Sequence, residues 1–189
     1  MNTISILHDA HVLLLMSDKR TSKALTRMFE GLGATVHTSD SQVEAIGLYW
    51  RLFKAGIRPR IVVTSWWTTD PESNEYKYLE MIDRVEMDGT ALNLLLNITD
   101  LDPSAFLTVY TQDPAGAQEC LDKAHIKAEV FNRIELDLAD FVARVSTHSL
   151  VNNQRLQAEE VSQALHTQEQ ARKATTQSSC ELTPVCRFG

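Results

Sequence analysis

The sequence predicts a doubly wound α/β domain on a five-stranded parallel sheet, with an extended helix at its C-terminal end. Three observations predict it. Short apolar runs of strand length alternate five times with segments of helical period between His11 and about residue 150. The first and longest of these runs does not alternate with polar residues, as suits parallel strands covered by helices on both faces. From residue 152 to residue 173 the composition shifts to Gln, Glu, Ala and Arg, with Leu156, Val161 and Leu165 the only large apolar residues. That stretch has helix propensity but no wide face to bury.

Residues 1–10 show no period and read as a short arm. His11–Met16 is the first strand, and Ser17 or Asp18 can cap the helix after it. Leu25, Met28, Phe29 and Leu32 share one face of that helix, which Gly31 or Gly33 ends. Ala34–Thr38 reads as the second strand. Ser41 and Glu44 have capping-box spacing and open a helix whose expected apolar face is Val43, Ile46, Leu48, Trp50, Leu52 and Phe53. Gly56 stops it, and Pro59 prevents its resumption. Ile61–Val63 is the third strand. Residues 68–86 interrupt the rhythm with loop chemistry and an expected short helix over Tyr76–Val85. Asp88-Gly89 then starts a helix with Leu92, Leu95 and Leu96 inward. Phe106–Tyr110 is the fourth strand, and Asp113-Pro114 supplies a cap and a first-turn proline to a helix carrying Ala117, Leu121 and Ala124. Glu129–Asn132 is the fifth strand, and Asp137 caps a helix with Leu138, Phe141, Val142 and Val145 inward. Residues 151–173 are expected to be a polar helical extension, and residues 174–189 a disordered tail.

With 25 acidic against 18 basic residues the formal net charge is −7. Such a field repels phosphate, so neither nucleic acid nor an anionic membrane is an expected partner. The early apolar run Val12–Met16 is too short to span a bilayer and carries no signal-peptide flanks, which predicts a cytoplasmic protein. Cys120, Cys180 and Cys186 form no CxxC pair and are expected to be reduced. The six histidines show no metal-ligand spacing, and no Walker or GxSxG motif is present. Gly31-Leu32-Gly33 follows a helix and precedes a strand, the reverse of a dinucleotide loop. No catalytic residue, metal or cofactor is predicted, and the chain is not expected to be an enzyme.

Several segments then act together. They are Val12–Asp18, the proline-led strand Pro59–Ser65, and Met87-Asp88-Gly89 followed by Leu92 and Leu95. Gly31–Ala34, Thr111 and Ala143-Arg144-Val145 support them. The pattern resembles the receiver (CheY-like) domain of bacterial two-component response regulators, a flavodoxin-like fold. The resemblance implies a chemistry in which an aspartate accepts a phosphoryl group, two more carboxylates hold Mg²⁺, and a lysine meets the phosphoryl oxygens. Here the acceptor position falls on Ser65. The acidic positions fall on Met16 and Ser17, with Asp18 one residue late. The lysine-proline pair falls on Asn132-Arg133, while Thr111 keeps the switch hydroxyl. A serine forms no acyl phosphate and a thioether is a poor Mg²⁺ ligand, so aspartyl phosphorylation is expected to fail. Asp70, the nearest carboxylate after the third strand, is a weak substitute.

The insertion is the second departure from the family pattern. It lies at the C-terminal edge of the strands, where open α/β sheets bind ligands, and it brings Trp66, Trp67, Tyr76 and Tyr78. These aromatics either fill the abandoned phosphate pocket or form a docking surface. The leading expectation is a pseudo-receiver: a phosphorylation-independent signalling module contacting another signalling protein through residues 114–148, with a homodimer as a further option for the final helix. The alternatives are a live response regulator using Asp18, a shifted acceptor and Mg²⁺; a small-ligand or nucleotide module with its crevice near Ser17, Ser65 and Thr111; and a receiver cut from a longer chain.

Overall fold

The computed structural model describes residues 6–68 and 90–180. The elements run β1 (His11–Leu15), α1 (Lys19–Gly31), β2 (Thr35–Ser39), α2 (Gln42–Lys54), β3 (Pro59–Ser65), α3 (Leu92–Leu101), β4 (Phe106–Thr111), α4 (Pro114–Lys123), β5 (Glu129–Asn132) and α5 (Leu138–Cys180). All five strands are parallel, in the order β2-β1-β3-β4-β5. The doubly wound five-stranded sheet and the long C-terminal helix are as the sequence predicts.

The period of two along each strand divides the core. Val12, Leu14 and Met16 join Ile61, Val63, Tyr110 and Phe131 beneath α1 and α5, which contribute Leu25, Phe29, Phe141, Val142 and Val145. Leu13 and Leu15 join Val62, Leu107 and Val109 on the other face, beneath Ala45 and Tyr49 of α2, Leu94, Leu95 and Ile98 of α3, and Ala117 and Leu121 of α4. Phe141 stands edge-on to Phe131 and 4.6 Å from the Tyr110 ring, fixing the root of α5.

The capping residues lie where the sequence places them. Asp18 caps α1 through Arg20 N (3.2 Å) and Thr21 N (3.0 Å). Ser41 caps α2 through Glu44 N (3.2 Å). The reciprocal half of that box is displaced, since the Glu44 carboxylate reaches Asp40 N and Ser39 Oγ instead of Ser41 N. Asp113 caps α4 and Asp137 opens α5. Gly33 takes φ 91°, which lets the chain reverse between α1 and β2.

Four expectations are corrected. The arm over residues 1–10 is partly core: Leu7 is buried under α1 and α5, and its N–H donates to Leu32 O. On α2 the buried residues are Gln42, Ala45 and Tyr49, while Val43 and Trp50 of the expected apolar face are exposed. Helix α3 starts at Leu92 with no side-chain cap. Helix α5 runs seven residues past 173, to Cys180, into the stretch expected to be disordered. The expected helix over Tyr76–Val85 lies outside the described residues, as do Asp88 and Gly89 themselves; Thr90 and Ala91, which precede α3, are not helical.

The chain forms two compact units, Met1–Ser149 and Leu150–Gly189. In the second, Val151, Val161 and Leu165 are exposed. Among the described residues no helix is long and apolar enough to cross a membrane.

At the N-terminal edge of the sheet His11 Nδ1 lies 3.0 Å from His37 Nε2, with the rings stacked. Burial, and then the neighbouring His11, push the His37 pKa below its usual value. The folded state therefore favours neutral His37. The unfolded chain takes up the proton first as pH falls, so stability is full above about pH 6.5 and declines as pH drops toward the folded pKa. An imidazole NMR titration is expected to show His37 with a midpoint below the usual histidine value, and the urea midpoint is expected to fall between pH 7.5 and 5.5.

Candidate functional site

In a sheet of this order the crevice for ligands opens at the C-terminal ends of β1 and β3, where the winding reverses. Two serines meet there. Ser17 N donates to Ser65 Oγ (3.1 Å), Ser65 Oγ lies 3.4 Å from Ser17 Oγ, and Ser65 Oγ donates to Trp67 O (2.8 Å). Ser65 is buried and Ser17 exposed. Among the described residues, the centre of the crevice is thus a hydroxyl and amide network without a formal charge.

The flanking side chains are also engaged. Met16 turns away from the crevice and packs in the core beneath α1 and α5. The Asp18 carboxylate, as the α1 cap, also accepts from Thr21 Oγ1 at 2.5 Å. That hydroxyl, followed by the Thr21 and Arg20 amides, holds the Asp18 carboxyl below the usual carboxylate range, and Arg133 adds a weaker attraction. Thr111 is buried, with its Oγ1 accepting from Asp113 N (3.1 Å). Asn132 Oδ1 accepts from Ile134 N, and Arg133 N donates to Thr111 O while the Arg133 side chain is exposed. Thr111, Asn132 and Arg133 therefore shape the loops after β4 and β5.

The two tryptophans separate. Trp66 is buried in the core beneath α2, α3 and α4, whereas Trp67 is half exposed. Trp66 is not a surface aromatic, which corrects the docking expectation for that residue; Tyr76 and Tyr78 lie outside the described residues. The ends of the insertion meet: Ala91 N donates to Trp66 O (2.7 Å), and Trp67 bridges Thr90 in antiparallel fashion. Gln42, at the start of α2, ties both ends together. Its amide donates to Thr68 Oγ1 (2.5 Å) and to the Thr90 carbonyl. Sequence reading missed Gln42 altogether; a polar residue on the 42–45–49 face of α2 was the available signal.

Comparison with solved structures decides what this architecture is. A response regulator receiver domain protein from Clostridium thermocellum superposes with a TM-score of 0.55 at 13% identity, over 78% of this chain and 98% of that one. The non-phosphorylated HemR receiver domain from Leptospira biflexa gives a TM-score of 0.50 at 22% identity, over 72% of this chain and 94% of that one. The fold is that of a receiver domain. A chain in which the yeast Spc42 trimeric coiled coil is fused to another structure also matches, at a TM-score of 0.57 and 13% identity, over 94% of this chain and 98% of that one. Neither a protein-family model nor a curated protein matches the chain.

The receiver fold raises the question of Mg²⁺, and the donors among the described residues do not fit it. Mg²⁺ takes hard, mostly anionic oxygens in octahedral order. The crevice offers two mutually bonded hydroxyls, a core thioether, and a carboxylate already accepting three hydrogen bonds. Among the described residues no three His, Cys, Asp or Glu side chains are grouped to hold a metal.

Proposed function

We propose that this chain is a pseudo-receiver: a cytoplasmic, non-enzymatic signalling module in a two-component-type system that acts through protein contacts and not through aspartyl phosphorylation. The receiver fold supports the signalling class. The observation that carries the finer reading is Ser65, seated at the end of β3 with its hydroxyl held between Ser17 N and Trp67 O. An alcohol there gives no acyl phosphate. Asp18 is no substitute, because releasing it would uncap α1. Output then rests on a partner signalling protein, for which the 114–148 surface, including the exposed Ile134 and the Glu129–His148 pair, is the proposed contact.

Beryllofluoride with millimolar Mg²⁺ tests the reading. Trp67 lies two residues past Ser65 and half exposed, so its fluorescence reports on the crevice. The expected result is no saturable, Mg²⁺-dependent change. A saturable change that requires both reagents means that the chain is a working phosphorylation switch.

A further inference from the structure

Helix α2 has a face that the fold does not use. Its buried residues are Gln42, Ala45 and Tyr49. Val43, Gly47 and Trp50 form a separate row at i, i+4 and i+7, with Val43 52% and Trp50 41% exposed. Gly47 stands mid-helix, where only proline is a poorer helix former. Nothing in the described structure requires a glycine there: a Cβ would meet only Arg51 Nη1, at an ordinary 3.7 Å. Bare backbone thus lies between two exposed apolar side chains with only the flexible Arg51 guanidinium over it, and a partner side chain that displaces Arg51 can approach closely.

Cations gather on this row and in the stretch after it. From Ala45 through Thr68 the chain carries four cations (Arg51, Lys54, Arg58 and Arg60) and no carboxylate, against a net charge of −7 for the whole. Lys54 Nζ sits 4.8 Å from the Trp50 ring centre, and Arg51 reaches back toward Gly47. Arg58 lies over Phe53 and senses the buried Tyr49–Asp102 pair, so Arg51 and Lys54 are the cations of the row itself. The one carboxylate of α2, Glu44, is engaged at Asp40 N and Ser39 Oγ.

We infer that this face of α2 docks an acidic amphipathic helix of another protein, with an apolar side chain seated on Gly47 between Val43 and Trp50 and carboxylates meeting Arg51 and Lys54. A helical partner suits the row because helices pack ridge into groove along i, i+4 positions. An acidic partner suits its charge, and the acidic remainder of the chain disfavours nucleic acid. This surface is distinct from the 114–148 face, and the inference stands whether or not Ser65 ends phosphorylation.

The test uses the full chain and a fluorescent amphipathic Leu/Glu helical peptide, followed by anisotropy at low and high salt, with a single-stranded oligonucleotide in parallel. The peptide is expected to bind, more weakly at high salt. Gly47→Gln is expected to raise the urea midpoint, since glutamine is the better helix former, yet to weaken binding about tenfold by covering that backbone. Arg51→Glu with Lys54→Glu is expected to weaken it by a similar factor. Absence of peptide binding to the parent chain overturns the inference, as does binding unchanged in both variants. Tighter binding of the oligonucleotide, lost in the same variants, overturns it in favour of nucleic acid.

Discussion

Trp66→Ala is expected to lower the free energy of unfolding by about 3–5 kcal/mol, the range for removing a large aromatic from a packed core. Trp67→Ala is expected to change it by less than about 1 kcal/mol, as for a surface position. The two side chains are adjacent in sequence, but Trp66 is 3% exposed beneath α2, α3 and α4, and Trp67 is 51% exposed. Urea unfolding followed by far-ultraviolet circular dichroism separates the two variants without relying on tryptophan emission. Equal losses for both would mean that Trp66 is not a core residue.

Met16→Asp, which returns an acid to one of the family's metal-binding positions, is expected to destabilise the domain by about 3 kcal/mol or more at neutral pH. Met16 is a buried member of the core formed with Phe29, Tyr110 and Phe141. A carboxyl there has its folded pKa raised by burial. The neutral acid is then the form the fold favours, and the deficit grows as pH rises through the unfolded value of about 3.9 and levels off above the folded pKa. Urea midpoints at pH 4 and pH 7 measure it. If they show the deficit unchanged or smaller at pH 7, the position faces solvent and the crevice is open to repair by substitution. With the expected result, the methionine at this position is held by the packing that follows β1, and an acid cannot be placed there by substitution alone.

What could be read from the sequence follows from the range of the interactions involved. The strands were legible because parallel strands covered on both faces are short continuous apolar runs, and β5 fell on Glu129–Asn132 as read. The caps at Asp18, Ser41, Asp113 and Asp137 were legible because a capping side chain bonds within three residues of itself. Gln42 was not, because its partners lie 26 and 48 residues away and an apolar-pattern reading passes over a polar core residue. Trp66 and Trp67 were given one role because adjacency conceals which side of the chain each side chain takes. Serines at positions 17 and 65 were visible as departures from the receiver pattern, but their hydrogen bond spans two strand ends and needed the fold to show it. The far end of α5 was missed because its Thr- and Ser-rich composition disfavours helix, yet the helix runs to Cys180.

Residues 66–68 and 90–91 are fastened to one another and to Gln42, so the two ends of the segment between them meet at a single point. The entropic penalty of closing a loop grows only with the logarithm of its length, about 0.6 kcal/mol for each doubling. With its ends already joined by the body of the domain, this position acts as a socket: the segment between them can be exchanged, lengthened or replaced by an entire module while the sheet and its helices keep their register. Change in length or composition is thereby channelled to one spot beside the crevice at Ser17 and Ser65, where a new recognition element can be added with little risk to folding.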